Sequence, residues 1–261
     1  MSMQVVILCG GMGTRLREET EYRPKPLVEI GGKPILWHIM KMYSTYGFTN
    51  FVLCLGYKGY MIKEYFLNYR TMTSDFTMRL GSKDHIQFHN SNGVQDWTVT
   101  FAETGLEANT GARVKRIERY IEGDNFMLTY GDGVADLEIG NLVEFHKQHG
   151  KLATVTGVLP ISRYGELAVD GGRVKVFSEK PPSDNGYISG GFFVFQRRFL
   201  EYLSPKDDCV LERDPLERLV RDGQLMSYIH KGFWRCMDTY RDSVALNELC
   251  KKGAPWMVWE K

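Results

Sequence analysis

Residues 4–9 form a short apolar run rich in β-branched side chains, and the run empties directly into Gly10-Gly11-Met12-Gly13. A continuous apolar segment of this length predicts a strand buried on both faces. A buried strand that ends in a glycine loop is where open α/β sheets bind ligands. Glycines let backbone N–H groups converge on an anion with no Cβ in the way. Arg15 and Lys25 follow as fixed positive charges, one a planar fork and the other a point donor.

The following segments extend the same architecture. Residues 34–46 carry apolar side chains at helical spacing, with Pro34 suited to the start and Gly47 to the end. Residues 50–55 predict a second strand and residues 58–69 a second helix. Strand, helix, strand, helix is the signature of a parallel sheet with crossover helices. Further strands are expected at 85–89, 97–101 and 125–130, the last ending at Gly131-Asp132-Gly133. Helices are expected at 139–149 and, basic and amphipathic, at 113–121. Runs at 153–159, 166–169, 173–177 and 187–195 read as strands without helices between them. A helix at 215–222, a strand at 225–230 and a helix at 240–252 complete the chain. The expectation is one α/β domain over residues 1–261, with a Rossmann-like mixed sheet, a mostly parallel core and antiparallel additions.

Composition narrows the function classes. The 33 basic and 32 acidic residues leave a net charge of +1, which argues against a nucleic-acid binder working through bulk charge. No apolar run is long enough to span a bilayer. The start has no basic region followed by a long apolar stretch, so a signal peptide is not expected. Five cysteines without a C-x-x-C pair predict reduced thiols and a cytoplasmic protein.

The glycine loop fits neither of the common nucleotide fingerprints. Leu16 stands where a dinucleotide motif needs its third glycine, and Gly31-Gly32-Lys33-Pro34 matches a P-loop only superficially. Taken alone, the loop is equally an ordinary tight turn between a strand and a helix. The same holds elsewhere: Asp132 alone reads as a turn residue between glycines, and Glu179-Lys180 as a surface pair before a proline. Arg113, Lys115, Arg116 and Arg119 alone read as a solvated basic face.

The pieces carry more together. Gly10-Gly11-Met12-Gly13-Thr14-Arg15-Leu16, then Pro24-Lys25-Pro26, resembles the sugar-1-phosphate nucleotidyltransferases. The resemblance continues through Tyr130-Gly131-Asp132-Gly133, Glu179-Lys180-Pro181, Gly190-Gly191-Phe192 and Met237-Asp238-Thr239, nearly the whole chain. Within that family, residues 34–43, 110–116, 129–136 and 254–256 are most similar to the glucose-1-phosphate cytidylyltransferases. Gly111-Ala112-Arg113 departs from the segment that thymidylyl enzymes carry near the base.

The resemblance implies a nucleotide-diphospho-sugar transferase fold, with nucleotide bound by the N-terminal half and sugar phosphate by the C-terminal half. It implies transfer of a cytidylyl group from CTP to glucose 1-phosphate. Lys25, Arg15 and Asp132 are the implied catalytic residues. Leu8, Gly10, Gly11, Gly13, Thr14, Glu103, Gly111 and Arg113 join them around the nucleotide. Tyr130, Tyr164, Gly165, Glu179, Lys180, Ser189 and Gly190 are implied at the sugar phosphate. Asp132 and Asp238 are the implied ligands of Mg²⁺, a cation usually held by one or two carboxylates plus substrate phosphates. A homo-oligomer is implied, with a hexamer as one form, and neither nucleic acid nor membrane as partner.

Ser189 stands where the subfamily often has Asn, which loosens the inference about the sugar. UTP or another sugar phosphate is the alternative substrate, and a catalytically silent subunit the remote one. Cys9 should be a small buried residue rather than a nucleophile. His146 and His149 are expected on a helix surface. His85 and His89 lack the Glu of a zinc motif.

Overall fold

A computed structural model of the chain describes residues 3–81, 86–89, 93, 95–160, 165–170, 173–179 and 186–260. The strand Gln4–Leu8 sits inside an eight-stranded sheet. It pairs in parallel with Asn50–Leu55 on one side and with Asn125–Tyr130 on the other. Thr98–Glu103 extends the parallel core beyond Asn50–Leu55. On the opposite side Phe193–Gln196 enters antiparallel between Asn125–Tyr130 and Ala153–Val158. Leu225–His230 then pairs in parallel with Ala153–Val158.

The apolar run at the N-terminus explains its own position. Val5 and Ile7 point into one core, with the helix Ile35–Thr45, and Val6 and Leu8 into the other. Alternating side chains serve opposite faces of a strand, so a strand apolar at every position is stable only with both faces covered. Helix Ile35–Thr45 buries Ile35, Leu36, Ile39, Met40, Met42 and Tyr43, and Gly47 follows it at φ 82°, a left-handed position that suits glycine. Near the chain end Trp256 is fully buried and stacks on Phe233 with ring centroids 5.5 Å apart.

Several expectations need correction. The run at 187–195 is two short strands, Ile188–Ser189 and Phe193–Gln196, interrupted at residues 190–192. Gly191 and Phe192 both have positive φ there. The helix expected at 113–121 is Thr110–Arg116 followed by a separate 3-10 turn, Glu118–Tyr120. Arg113, Lys115 and Arg116 do not form a solvated face, whereas Arg119 is exposed. Lys115 donates to Leu200 O, and Arg116 donates to the carbonyls of Thr104 and Pro205. His146 is buried rather than on a surface, paired with Thr154 Oγ1 at 2.9 Å and Asn125 Oδ1 at 3.2 Å. His85 lies outside the described residues. Among the described residues no helix is long and apolar enough to cross a membrane.

His38 is buried on helix Ile35–Thr45, where its Nδ1 accepts from the Trp256 indole and its Nε2 therefore donates to Ile30 O. Burial, reinforced by the charge of Lys33, lowers its pKa from 6.5 to about 4, although the bond to Ile30 opposes the shift. Burial and His149 lower His146 to about 4 as well. A histidine held neutral in the fold stabilises it above the unfolded pKa, and that stability is lost as pH falls towards the folded value. The thermal midpoint should therefore drop between pH 6.5 and pH 4. The drop should be shallower in His38→Gln, which cannot titrate, as melting curves across that window will show.

Candidate active site at the edge of the sheet

The parallel strands ending at Leu8, Leu55, Glu103 and Tyr130 deliver their following loops to one edge of the sheet. A cleft of about 390 Å³ opens there. Leu8, Gly10, Gly11, Gly13, Thr14 and Arg15 line it from the first loop. Lys25, Arg113, Tyr130, Asp132 and Asp238 line it from elsewhere. Gly13 has φ 63° and caps the 3-10 turn Thr14–Leu16, with its carbonyl accepting from Leu16 N and from the hydroxyl of Thr20. A side chain at Gly13 would be strained and would also meet Thr20 Cγ2 at 2.6 Å.

The charged centre of the cleft is assembled by a strand pair that the sequence did not reveal. Gly133–Ala135 pairs antiparallel with Trp234–Cys236, and the register sets Gly133 opposite Cys236. Asp132, just before the first strand, therefore meets Met237 and Asp238, just after the second. Met237 N donates to Asp132 O at 2.8 Å. Both carboxylates then converge on one cation: Lys25 Nζ donates to Asp132 Oδ2 at 2.6 Å and to Asp238 Oδ1 at 2.8 Å. Arg15 Nη2 lies 3.0 Å from Asp238 Oδ1. Lys25 is positioned by its place in the 3-10 turn Lys25–Leu27, between two prolines that fix the local backbone.

Electrostatics follow from this packing. Burial works against the charge on Lys25, but Asp132 and Asp238 outweigh it and hold the ammonium above its usual range. Burial likewise opposes the charge on Asp238, yet the hydrogen bond and charge of Lys25, with Arg15 behind it, hold the carboxyl below its usual range. Burial pushes the Cys9 thiol well up, so Cys9 is a small core residue at the loop's root and no nucleophile.

The donor set fits a hard divalent cation. Two carboxylates already meet at one cationic atom, and among the described residues no third acidic, His or Cys ligand joins them. Such an arrangement suits an ion that completes its shell with water and phosphate oxygens rather than with protein.

Other expected residues are placed differently. Glu103 is exposed and pairs with Lys63, and it does not line the cleft. Gly111 packs helix Thr110–Arg116 against residues 209–211, where a Cβ would meet Cys209 Sγ at 2.7 Å. Glycine at that position allows this close helix packing. Gly190 donates to Thr156 O and its carbonyl accepts from the Trp234 indole at 2.8 Å. Gly165 lies directly across from Glu179 in the antiparallel pair Gly165–Asp170 and Arg173–Glu179. Ser189 is exposed and pairs with Gly157 at the sheet edge. Tyr164 and Lys180 fall outside the described residues.

One residue that sequence reasoning missed is Glu212. It accepts from Tyr130 Oη at 2.5 Å and from Thr110 Oγ1 at 2.6 Å, tying together two side chains of the cleft wall. Burial and then this carboxylate push the Tyr130 phenol up, keeping it a neutral donor. No local motif marks Glu212, because its partners are about 80 and 100 residues away.

Comparison with known proteins agrees with this geometry. Residues 4–250 match the family described as nucleotidyl transferase. The glucose-1-phosphate cytidylyltransferase of Salmonella typhi is 50% identical over 99% of this chain and 100% of its own length. The probable glucose-1-phosphate cytidylyltransferase of Bacillus subtilis (strain 168) is 45% identical over 98% of this chain and 100% of its own. Among solved structures, HddC from Yersinia pseudotuberculosis superposes with a TM-score of 0.69 at 26% identity, covering 96% of this chain and 99% of that one. The mixed, mostly parallel sheet, the glycine loop at its edge and the matched length agree, and the chain belongs to the nucleotidyl transferase family.

Proposed function

We propose that the chain transfers a cytidylyl group from CTP to α-D-glucose 1-phosphate, giving CDP-glucose and pyrophosphate. The observation that carries the chemistry is Lys25, held between Asp132 and Asp238 in the cleft of the glycine loop. The names of relatives at 50% and 45% identity support the choice of substrates.

In this reading a phosphate oxygen of glucose 1-phosphate attacks the α-phosphorus of CTP. The new O–P bond forms as the bond to the oxygen bridging the β-phosphate breaks, and pyrophosphate leaves with that electron pair. Transfer of this kind depends on alignment and charge neutralisation more than on covalent help. Gly11 has nothing within 4 Å of the place a Cβ would take, which leaves its backbone open to the triphosphate. Thr14 and Arg15 hold the β- and γ-phosphates, and Lys25 stabilises charge developing at the α-phosphate. Asp132 and Asp238 would hold Mg²⁺, which when bound would supply further positive charge to neutralise the phosphates. On the sugar side Glu179 accepts from sugar hydroxyls and Lys180 pairs with the sugar phosphate. The family resemblance assigns Tyr130, Tyr164, Gly165, Ser189 and Gly190 to the sugar phosphate as well.

The protein incubated with each of the four ribonucleoside triphosphates, glucose 1-phosphate and Mg²⁺ should release pyrophosphate with CTP above all others. Excess EDTA should abolish release. Equal release from all four triphosphates, or undiminished release in EDTA, refutes the reading. Lys25→Ala should lower turnover by ~10²-fold or more, the scale for losing one preorganised electrostatic donor. Near-normal turnover in that variant removes Lys25 from the chemistry. Exposed Leu67, Met72, Met78 and Leu80 support self-association. Light scattering should give a mass above that of one 30.0 kDa chain, and a monomeric mass refutes a homo-oligomer.

A further inference from the structure

Arg113 is 4% exposed, and its terminal nitrogens are spent on the chain around it. Nη2 donates to Gly10 O at 2.9 Å and to Leu106 O at 3.2 Å. Nη1 donates to Leu55 O at 3.1 Å, Gly105 O at 2.7 Å and Thr104 Oγ1 at 2.8 Å. These acceptors belong to three segments: the glycine loop, the end of strand Asn50–Leu55 and the turn after strand Thr98–Glu103. One rigid guanidinium thus joins the loops that follow three neighbouring parallel strands. A lysine at the same place is a point donor on a flexible stem and cannot span them together.

The neighbouring glycines carry the imprint of this group. A Cβ on Gly10 would stand 2.2 Å from Arg113 Nη1 and 2.3 Å from its Cζ. A Cβ on Gly56 would stand 2.6 Å from the same Nη1. Both positions are crowded by the guanidinium, whereas Gly11 faces open space. The lack of a side chain at Gly10 is accounted for inside the protein, without a phosphate.

We infer that Arg113 is a positioning residue for nucleotide binding. By fixing the Gly10 carbonyl it sets how the Gly11–Gly13 backbone faces the cleft, and Gly10 is glycine to admit the guanidinium. This differs from the direct phosphate contact that the family resemblance implies for Arg113, and it rests on the nucleotide-transfer reading given above.

The test uses the full-length protein with CTP as the probe. Calorimetric CTP affinity and the KM values for CTP and glucose 1-phosphate are compared in wild type, Arg113→Lys, Arg113→Ala, Gly10→Ala and the Gly10→Ala/Arg113→Ala double variant. Arg113→Lys keeps the charge but should weaken CTP binding by ~10- to 100-fold, the scale of a misaligned site. The KM for glucose 1-phosphate should move by less than ~3-fold, a split that general loss of folding does not produce. Gly10→Ala should weaken CTP binding in wild type yet add little once Arg113 is alanine, because the crowding partner is gone. CTP affinity in Arg113→Lys within ~3-fold of wild type, or Gly10 and Arg113 effects that simply multiply, overturns the inference. If Gly10→Ala does not fold, an Arg113→Lys affinity within ~3-fold of wild type still overturns the inference. A wild-type protein that binds no nucleoside triphosphate overturns the functional reading first, and the inference with it.

Discussion

Two aspartates about a hundred residues apart share one lysine, and the cleft is arranged around that contact. Lys25, Asp132 and Asp238 are each mostly buried, with side chains 12%, 26% and 13% exposed. Charges so far out of water are tolerated only when paired and hydrogen-bonded. The pairing in turn fixes three chain segments: the turn after the glycine loop, the end of strand Asn125–Tyr130 and the turn before the last long helix. The short ladder between Gly133–Ala135 and Trp234–Cys236 holds the second and third in register, and a slip of one residue would turn Asp238 away.

The same economy shows in the glycines. Gly13 is needed for a left-handed turn, Gly10 for room beside Arg113 and Gly111 for close helix packing, whereas Gly11 faces open space. Three glycines that a motif treats as one phosphate signature thus have different surroundings, and Gly111, outside the motif, has another. The near-neutral chain is equally uninformative about its cleft, where Lys25 and Arg15 are set against Asp132 and Asp238. Net charge describes the surface field of a whole molecule and not the local field of a site.

Local pattern was sufficient for most of the scaffold. The strands Asn50–Leu55, Asn125–Tyr130 and Leu225–His230 and the helix Ile139–His149 lie where apolar spacing and turn residues put them. The misreadings cluster where tertiary contact overrides composition. Arg113 and His146 are polar residues on helices, and polarity alone argues for solvent. Each is buried because partners from other segments satisfy it: carbonyls from three loops accept from Arg113, while the neutral His146 ring donates from Nε2 to Asn125 Oδ1 and accepts at Nδ1 from the Thr154 hydroxyl. Glu103 also takes part in an exposed ion pair and Gly111 in a close helix contact, neither of which a local pattern announces.

By itself the sequence determined the alternation of strands and helices, the glycine loop at the end of a doubly buried strand, and the candidate charged residues. Those features are written in neighbouring residues, through periodicity, φ preference and the absence of side chains. Tertiary structure alone decided that Asp132 and Asp238 meet at Lys25, that Glu212 secures Tyr130 and Thr110, and that Arg113 binds carbonyls. Each of these is a contact between segments far apart in the chain. Such contacts depend on sheet order and strand register, which no short stretch of sequence encodes.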